Sequence, residues 1–229
     1  MNQKITSQPF VDAYLIHQKP YLEKKLIIYL FTKEHGLVPA VTHHSKEKRN
    51  NLTEFSKLSC QLLIKPSLSQ LKKIEIKQFH PPLRGSYLFA GLYINELIYR
   101  LCQANQANEE LYQLYMQSIQ NLSQQKPLSK EVRMFEYQIQ HLLGYGLNFE
   151  CLDQTHENWF YFTPDTGLKP SISKQTQLYQ RKDLENLEAG QLSDPETQQC
   201  SKKIFSQLIT HLLGKNNIFI KNIMPKKDN

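Results

Sequence analysis

The spacing of apolar residues changes once along the chain, near residue 80. Before that point, apolar and polar positions alternate in short runs rich in β-branched and aromatic residues, a pattern typical of half-buried strands. The runs predict strands over residues 10–19, 24–33, 37–44, 60–65 and 71–80. Five short strands with a polar loop over residues 45–57 predict a small OB-like barrel. An SH3-like barrel or an open sheet fits the same pattern.

Beyond residue 85 the apolar residues follow a helical period. His80-Pro81-Pro82 ends the last strand, because consecutive prolines stiffen a linker. Helices are predicted over residues 86–103, over residues 109–124 after Asn108 as N-cap, and over residues 129–143 before Gly144. A last helix is predicted from Asp194 and Pro195 to Gly214. Residues 151–180 show only a strand over 159–163 and a turn over 164–167.

These elements predict an α+β protein in three parts. Residues 1–80 form the OB-fold, residues 81–150 a helical domain, and residues 151–229 a mixed segment whose C-terminal helix packs on the helical domain. The 229 residues are 40% hydrophobic and 21% charged, which indicates a globular chain. Because no apolar run approaches ~18 residues and no apolar signal segment opens the chain, we expect a soluble, cytoplasmic protein.

Positive charge is concentrated in the first third of the chain. Residues 1–80 carry thirteen Lys and Arg against six Asp and Glu, whereas residues 81–150 carry five against six and residues 151–229 ten against nine. The net charge of +7 therefore belongs to the predicted barrel. A basic domain joined to neutral ones indicates a polyanionic partner, either nucleic acid or an anionic membrane surface.

The sequence offers little support for catalysis or metal binding. Its cysteines are far apart, without the paired spacing of a zinc site, so we expect no metal and no cofactor; they are Cys60, Cys102, Cys151 and Cys200. Glu75-Ile76-Lys77 has the E-x-K form of metal-dependent nucleases, which also need an earlier acidic residue on a neighbouring strand. Pro164-Asp165 comes too late to supply it. We therefore predict a protein without enzyme activity.

Basic residues around the first three strands are the predicted nucleic-acid contacts. Lys24 and Lys25 belong to the same basic region, and the residues chosen as DNA-binding are Lys19, Lys33, His43, Lys46, Lys48 and Arg49. Contacts of this kind with phosphates give affinity without sequence information. Tyr14, Tyr29 and Phe31 are candidates for stacking on bases, although an aromatic residue in a small barrel more often fills the core.

Several segments resemble one known family. The run from Ala13 to Glu23 and the run from Phe31 to Gly36 resemble the first strands of RecO, the bacterial recombinational repair family. The run from Leu88 to Leu97 is similar to the family's first long helix, and further likeness lies at Arg133-Met134-Phe135-Glu136 and from Leu143 to Phe149. The resemblance implies an OB-fold with a helical body. It also implies binding to single- and double-stranded DNA, strand annealing, and help to RecR in loading RecA onto DNA coated by single-stranded DNA-binding protein (SSB).

The chain departs from this family in two places. Many members carry a four-cysteine zinc motif after the Gly-Tyr-Gly turn, and here only Cys151 stands in that region. Where the family often has Lys-Gly after the third strand, this chain has His43-His44, and an unperturbed histidine is mostly uncharged at neutral pH.

The family's partner SSB has an acidic C-terminal tail that ends in an apolar residue with a free carboxylate. A receptor for it needs a cation beside an apolar pocket, and we predict that Lys130, Arg133 and Tyr137 form it. Alternatively, Arg133 pairs with Glu136 or Glu131 on its own helix. For the whole protein, the alternative to a DNA-annealing mediator is an adaptor whose basic barrel binds an acidic protein or RNA.

Overall fold

The computed structural model describes residues 9–43, 52, 54–79, 82–171 and 177–214. The chain divides after Gln124 into two compact units, and each is described by itself. The first unit contains the barrel together with the two helices that follow it. The second begins at Gln125 and contains the remaining described helices and a small sheet.

Five strands of the first unit form a closed barrel. They are β1 (Phe10–Tyr21), β2 (Lys25–Thr32), β3 (Gly36–His43), β4 (Lys57–Leu63) and β5 (Ser69–Gln78). The strand order is β1-β2-β3-β5-β4, with β3 and β5 parallel and the other described pairs antiparallel. The predicted OB-like barrel is therefore confirmed, and the strand boundaries differ from the predicted ones by up to three residues.

The barrel core is built from one face of each strand, together with Leu52 from the segment before β4. Its buried side chains are those of Val11, Ala13, Leu15, Ile28, Leu30, Val38, Ala40, Leu52, Leu58, Cys60, Leu62, Leu71 and Ile74. The pairing of β1 with β2 shifts between Leu15 and His17, so Ile16 is an extra residue in β1. Because a bulge of one residue reverses which positions face outward, His17 and Lys19 point away from the core, as Tyr14 does before the bulge.

Two helices complete the first unit, α1 (Gly85–Leu101) and α2 (Glu109–Ser123). The Asn108 side chain accepts a hydrogen bond from the Leu111 backbone N–H at 2.9 Å, which confirms the predicted N-cap of α2. Gly36 starts β3 at φ +65°, and a Cβ there would collide with the backbone carbonyl of Gln106. Glycine is thus required at this turn both by its backbone conformation and by the close approach of the loop between α1 and α2.

The second unit mixes helices and short strands. Its elements are α3 (Leu128–Leu142), α4 (Glu150–Asp153), β6 (Trp159–Thr163), β7 (Gly167–Pro170), β8 (Tyr179–Gln180), α5 (Arg181–Glu188) and α6 (Pro195–Leu213). The strands form a sheet in the order β7-β6-β8. The Asp194 side chain accepts from the Thr197 N–H at 3.1 Å and Pro195 opens α6, as predicted. The sequence pattern did not predict α4, β7, β8 or α5.

Candidate nucleic-acid interface

The register of β1, β2 and β3 brings basic and aromatic side chains to one exposed face. Lys19 pairs with Ile27, which pairs with Val41; two residues farther on, Tyr21 pairs with Lys25, which pairs with His43. The adjacent alternate positions Ile28, Ala40 and Thr42 are buried, so the paired side chains point outward. We call these side chains the outer strand face: Lys19, Tyr21, Lys25, Ile27, Val41 and His43.

Next to this face, where Tyr99 of α1 contacts the barrel, three rings form a group. The ring of Tyr99, from the last turn of α1, lies 4.6 Å from that of His17 and 4.7 Å from that of Tyr29, measured between centroids. The Lys19 ammonium lies 5.6 Å from the centre of the Tyr29 ring, within the range of a cation–π contact. Partial burial, together with the charge of Lys19, lowers the pKa of His17, so the neutral ring is favoured there.

Tyr14 and Phe31 lie farther along the same outward side but are covered by α2. Their rings pack against those of Tyr112 and Tyr115 at centroid distances of 5.1 to 5.9 Å. Both side chains are almost completely buried and are therefore closed to bases, which corrects their selection as stacking candidates. Their contacts with Tyr112 and Tyr115 pack the barrel against α2. The third stacking candidate, Tyr29, is only partly buried. The sequence analysis did not single out Tyr99, because its contact with His17 and Tyr29 depends on how α1 packs on the barrel.

The remaining predicted DNA contacts have different surroundings. Lys33 lies just beyond the other end of β2, where its ammonium is 2.7 Å from a carboxylate oxygen of Glu109 at the start of α2. It therefore stands apart from Lys19 and His43, which share the outer strand face. Lys46, Lys48 and Arg49 lie outside the described residues, as does His44. The strand that leads toward them in the sequence ends at His43.

The three residues predicted to receive an acidic tail lie on α3 and have different contacts. Arg133 forms an ion pair with Glu136, whose side chain is fully buried. Tyr137 donates a hydrogen bond to the backbone carbonyl of Glu188 at 3.3 Å. Lys130 lies 3.4 Å from the Ser193 hydroxyl and lines a cavity of about 380 Å³; the other lining residues are Met134, Asn186, Gly190, Gln191, Leu192, Ser193 and Asp194. Among the three, only Lys130 lines this cavity.

Arg181, at the start of α5, is hydrogen-bonded to the segment that follows Cys151. The Arg181 guanidinium donates to the backbone carbonyls of Leu152, Thr155 and Glu157 at 2.6 to 3.0 Å. Burial raises the pKa of the Cys151 thiol. The described residues contain no group of three or more potential metal ligands.

Every helix in the described part of the chain is too short or too polar to span a bilayer.

Two family models match the chain, Recombination protein O N terminal over residues 10–80 and Recombination protein O C terminal over residues 84–217. The chain is 28% identical to the DNA repair protein RecO of Actinobacillus succinogenes, over 90% of this chain and 91% of that protein. It is also 28% identical to the DNA repair protein RecO of Haemophilus influenzae strain PittGG (94% and 97% covered) and to that of Psychromonas ingrahamii (89% and 92% covered).

Proposed function

The chain belongs to the RecO family of DNA repair proteins, and we propose that it is a recombination mediator without catalytic activity. It binds single- and double-stranded DNA and anneals complementary strands. With RecR, it helps to load RecA onto single strands coated by SSB, in the cytoplasm at the nucleoid. The family resemblance first indicated these steps, and the barrel's surface supports the DNA-binding step.

The outer strand face is the observation that carries the proposal. Lys19 on β1 pairs with Ile27 on β2, and Lys25 lies two residues before Ile27 on that strand. His43 on β3 pairs with Lys25. Cations spaced along a strand face can follow the phosphates of a nucleic acid, while Tyr21 offers an exposed ring for a base. The basic segment with Lys46, Lys48 and Arg49 follows His43 in the sequence and adds further phosphate contacts. Lys33 contributes only if DNA displaces Glu109.

The E-x-K pattern on β5 has surroundings unlike those of a metal site. The Lys77 ammonium lies 2.7 Å from one carboxylate oxygen of Asp12, and that of Lys57 lies 2.9 Å from the other. Two ammonium groups thus hold the acidic residue of β1 that lies nearest to this strand in the sheet. A divalent ion would have to displace both cations, which supports a role without nuclease chemistry.

Helix α3 is the proposed receptor for the acidic tail of SSB. Lys130 supplies a cation to the cavity, and Met134 and Leu192 supply apolar lining. Asp194 also lines the cavity and opposes an anionic ligand, so the Lys130 contact has to outweigh that repulsion. Arg133 lies one turn after Lys130 in α3, and its two-pronged guanidinium can take the terminal carboxylate while one of its N–H groups stays on Glu136.

An annealing time course tests the proposed function. Two complementary oligonucleotides carrying a donor and an acceptor dye are mixed with and without the full chain. We expect the protein to accelerate pairing by roughly tenfold or more, since a basic surface concentrates both strands, and we expect salt to remove the effect. Failure to bind or anneal DNA, with tight binding to RNA or an acidic protein instead, would favour the adaptor.

A further inference from the structure

The turn between β1 and β2 exposes an apolar side chain in a conformation that such residues rarely adopt. Leu22 has φ +54°, and its side chain is 67% exposed. Left-handed backbone is strained for a leucine, whereas glycine or asparagine adopts it readily. Burial of the side chain would offset the strain, but this one is mostly in solvent. A polar residue would fold more easily at this position, and an exposed, strained leucine is suited to contact with a binding partner.

The surroundings of Leu22 suit a polyanion with apolar interior surfaces. Tyr21, just before it, is 41% exposed and belongs to the outer strand face. Lys24 and Lys25 follow within three residues, and Lys19 lies two positions before Tyr21, while Glu23 is the one acidic residue of the turn. Positive charge therefore surrounds an exposed leucine and an exposed tyrosine. Phosphates with bases between them match this combination of charged and apolar groups.

We propose that the β1–β2 turn, residues 21–25, inserts the Leu22 side chain between neighbouring bases of a bound single strand. The inference rests on the proposed DNA binding and adds a wedge at the end of the outer strand face. Lys24 and Lys25 hold the phosphates on either side of the opened step, and Tyr21 covers one of the separated bases. Apolar side chains that open base steps in this way are known from proteins that kink duplex DNA.

A bound strand is a better match for this turn than an anionic membrane. Membrane attachment strengthens with the apolar area that is buried, and one leucine with one half-exposed tyrosine offers little of it. A wedge needs only a single side chain. A base that loses its neighbour exposes flat apolar surface, which the leucine covers. The opened step also prepares a strand for a new complement, in keeping with annealing.

Fluorescence of 2-aminopurine tests the wedge. The probe is a single-stranded oligonucleotide of consecutive 2-aminopurines, whose fluorescence is quenched while neighbouring bases stack. The full chain should raise the fluorescence on binding. Leu22→Asn, which tolerates the left-handed turn, should lose most of that rise and bind several-fold more weakly, without a lower melting temperature. Leu22→Met should keep the rise, as should Phe10→Asn, which removes a 46% exposed ring at the far end of β1.

The possible results separate the wedge from the function on which it rests. If the wild-type chain fails to bind the oligonucleotide, both the proposed function and the wedge are wrong. If it binds, and Leu22→Asn gives the same rise as the wild type, only the wedge is wrong. If Leu22→Asn instead loses co-sedimentation with phosphatidylserine vesicles while its DNA binding is unchanged, the turn is a membrane contact and the wedge is again wrong.

Discussion

The ion pair with Glu136 limits which substitutions of Arg133 can test peptide binding. The side chain is 14% exposed and is paired with Glu136, which has no exposed surface. Removing Arg133 would leave a buried carboxylate without its cation, so an alanine variant would confuse loss of binding with loss of stability. Lysine retains the charge for Glu136 but lacks the two-pronged geometry that suits a terminal carboxylate.

We therefore expect Arg133→Lys to remain folded and to bind the tail peptide more weakly, by roughly 1.5–3 kcal/mol, as for a hydrogen bond to a charged group. Lys130→Gln should weaken binding by a similar amount. Isothermal titration with an acidic peptide ending in an apolar residue measures both, and the same peptide with a C-terminal amide is the control ligand. Unchanged affinity in both variants would exclude α3 as the receptor, and an equal loss of DNA binding would point to a general charge effect.

Individual residues also show where sequence patterns reach their limit. Strict alternation from Tyr14 would place Ile16 outward, but the bulge leaves Ile16 buried and turns His17 and Lys19 to that side. Nothing in the local spacing marks the extra residue, because a bulge depends on how the partner strand is paired. Likewise, the ion pair of Lys33 with Glu109 joins residues far apart in sequence, so the basic cluster looked more continuous than it is.

At the scale of elements, one carboxylate links three strands of the barrel. Asp12 on β1 accepts from Lys57 on β4 and from Lys77 on β5. Burial alone would raise the pKa of Asp12, but hydrogen bonds from Lys77 and Lys57 and their charges outweigh it, so the pKa lies below its ordinary value of 3.8. A lowered carboxyl pKa adds stability above pH 3.8, and this stability is lost as the pH falls through the folded-state value.

Asp12→Asn should therefore destabilise the protein near pH 7 by about 1–2 kcal/mol, less than the full effect of a hydrogen bond to a charged group, because Lys77 is half exposed. The difference from wild type should shrink as the pH falls below 4. Thermal unfolding of both proteins between pH 3 and 7 measures it, with Glu23→Gln at an exposed turn position as control. A difference that is constant with pH would show that the carboxylate charge does not matter.

Elements with strong local signals were predicted well from the sequence. Asn108 and Asp194 as N-caps and Pro195 at the first position of α6 each act on their own neighbours. Helix α5 was missed because its mean hydropathy is low and its buried positions are few, Leu184 and Leu187. Strands β7 and β8 have four and two residues and take their pairing from β6, which a local pattern cannot supply.

At the scale of the whole molecule, the excess positive charge and the exposed strand face belong to the same domain. The first 80 residues carry thirteen basic against six acidic residues, and Lys19 and Lys25 bring part of that charge to one surface. The distribution of charge along the chain is read directly from the sequence, and the pattern of strands predicted the type of barrel. The sequence could not say which cations lie together, because this depends on the register between strands and on the partners that other elements supply.

The salt dependence of single-stranded DNA binding tests the central claim, that the outer strand face holds the phosphates. Affinity is measured by fluorescence anisotropy across a series of salt concentrations for the full chain, for Lys19→Gln/Lys25→Gln, and for Lys182→Gln/Lys202→Gln. The last variant removes two exposed charges from α5 and α6 of the second unit. We predict that the strand-face variant binds more weakly and loses about 1.4 from the slope of log affinity against log salt, about 0.7 for each phosphate contact, while the control keeps the wild-type slope. Equal slopes for all three proteins, or the same loss in the control, would contradict the account.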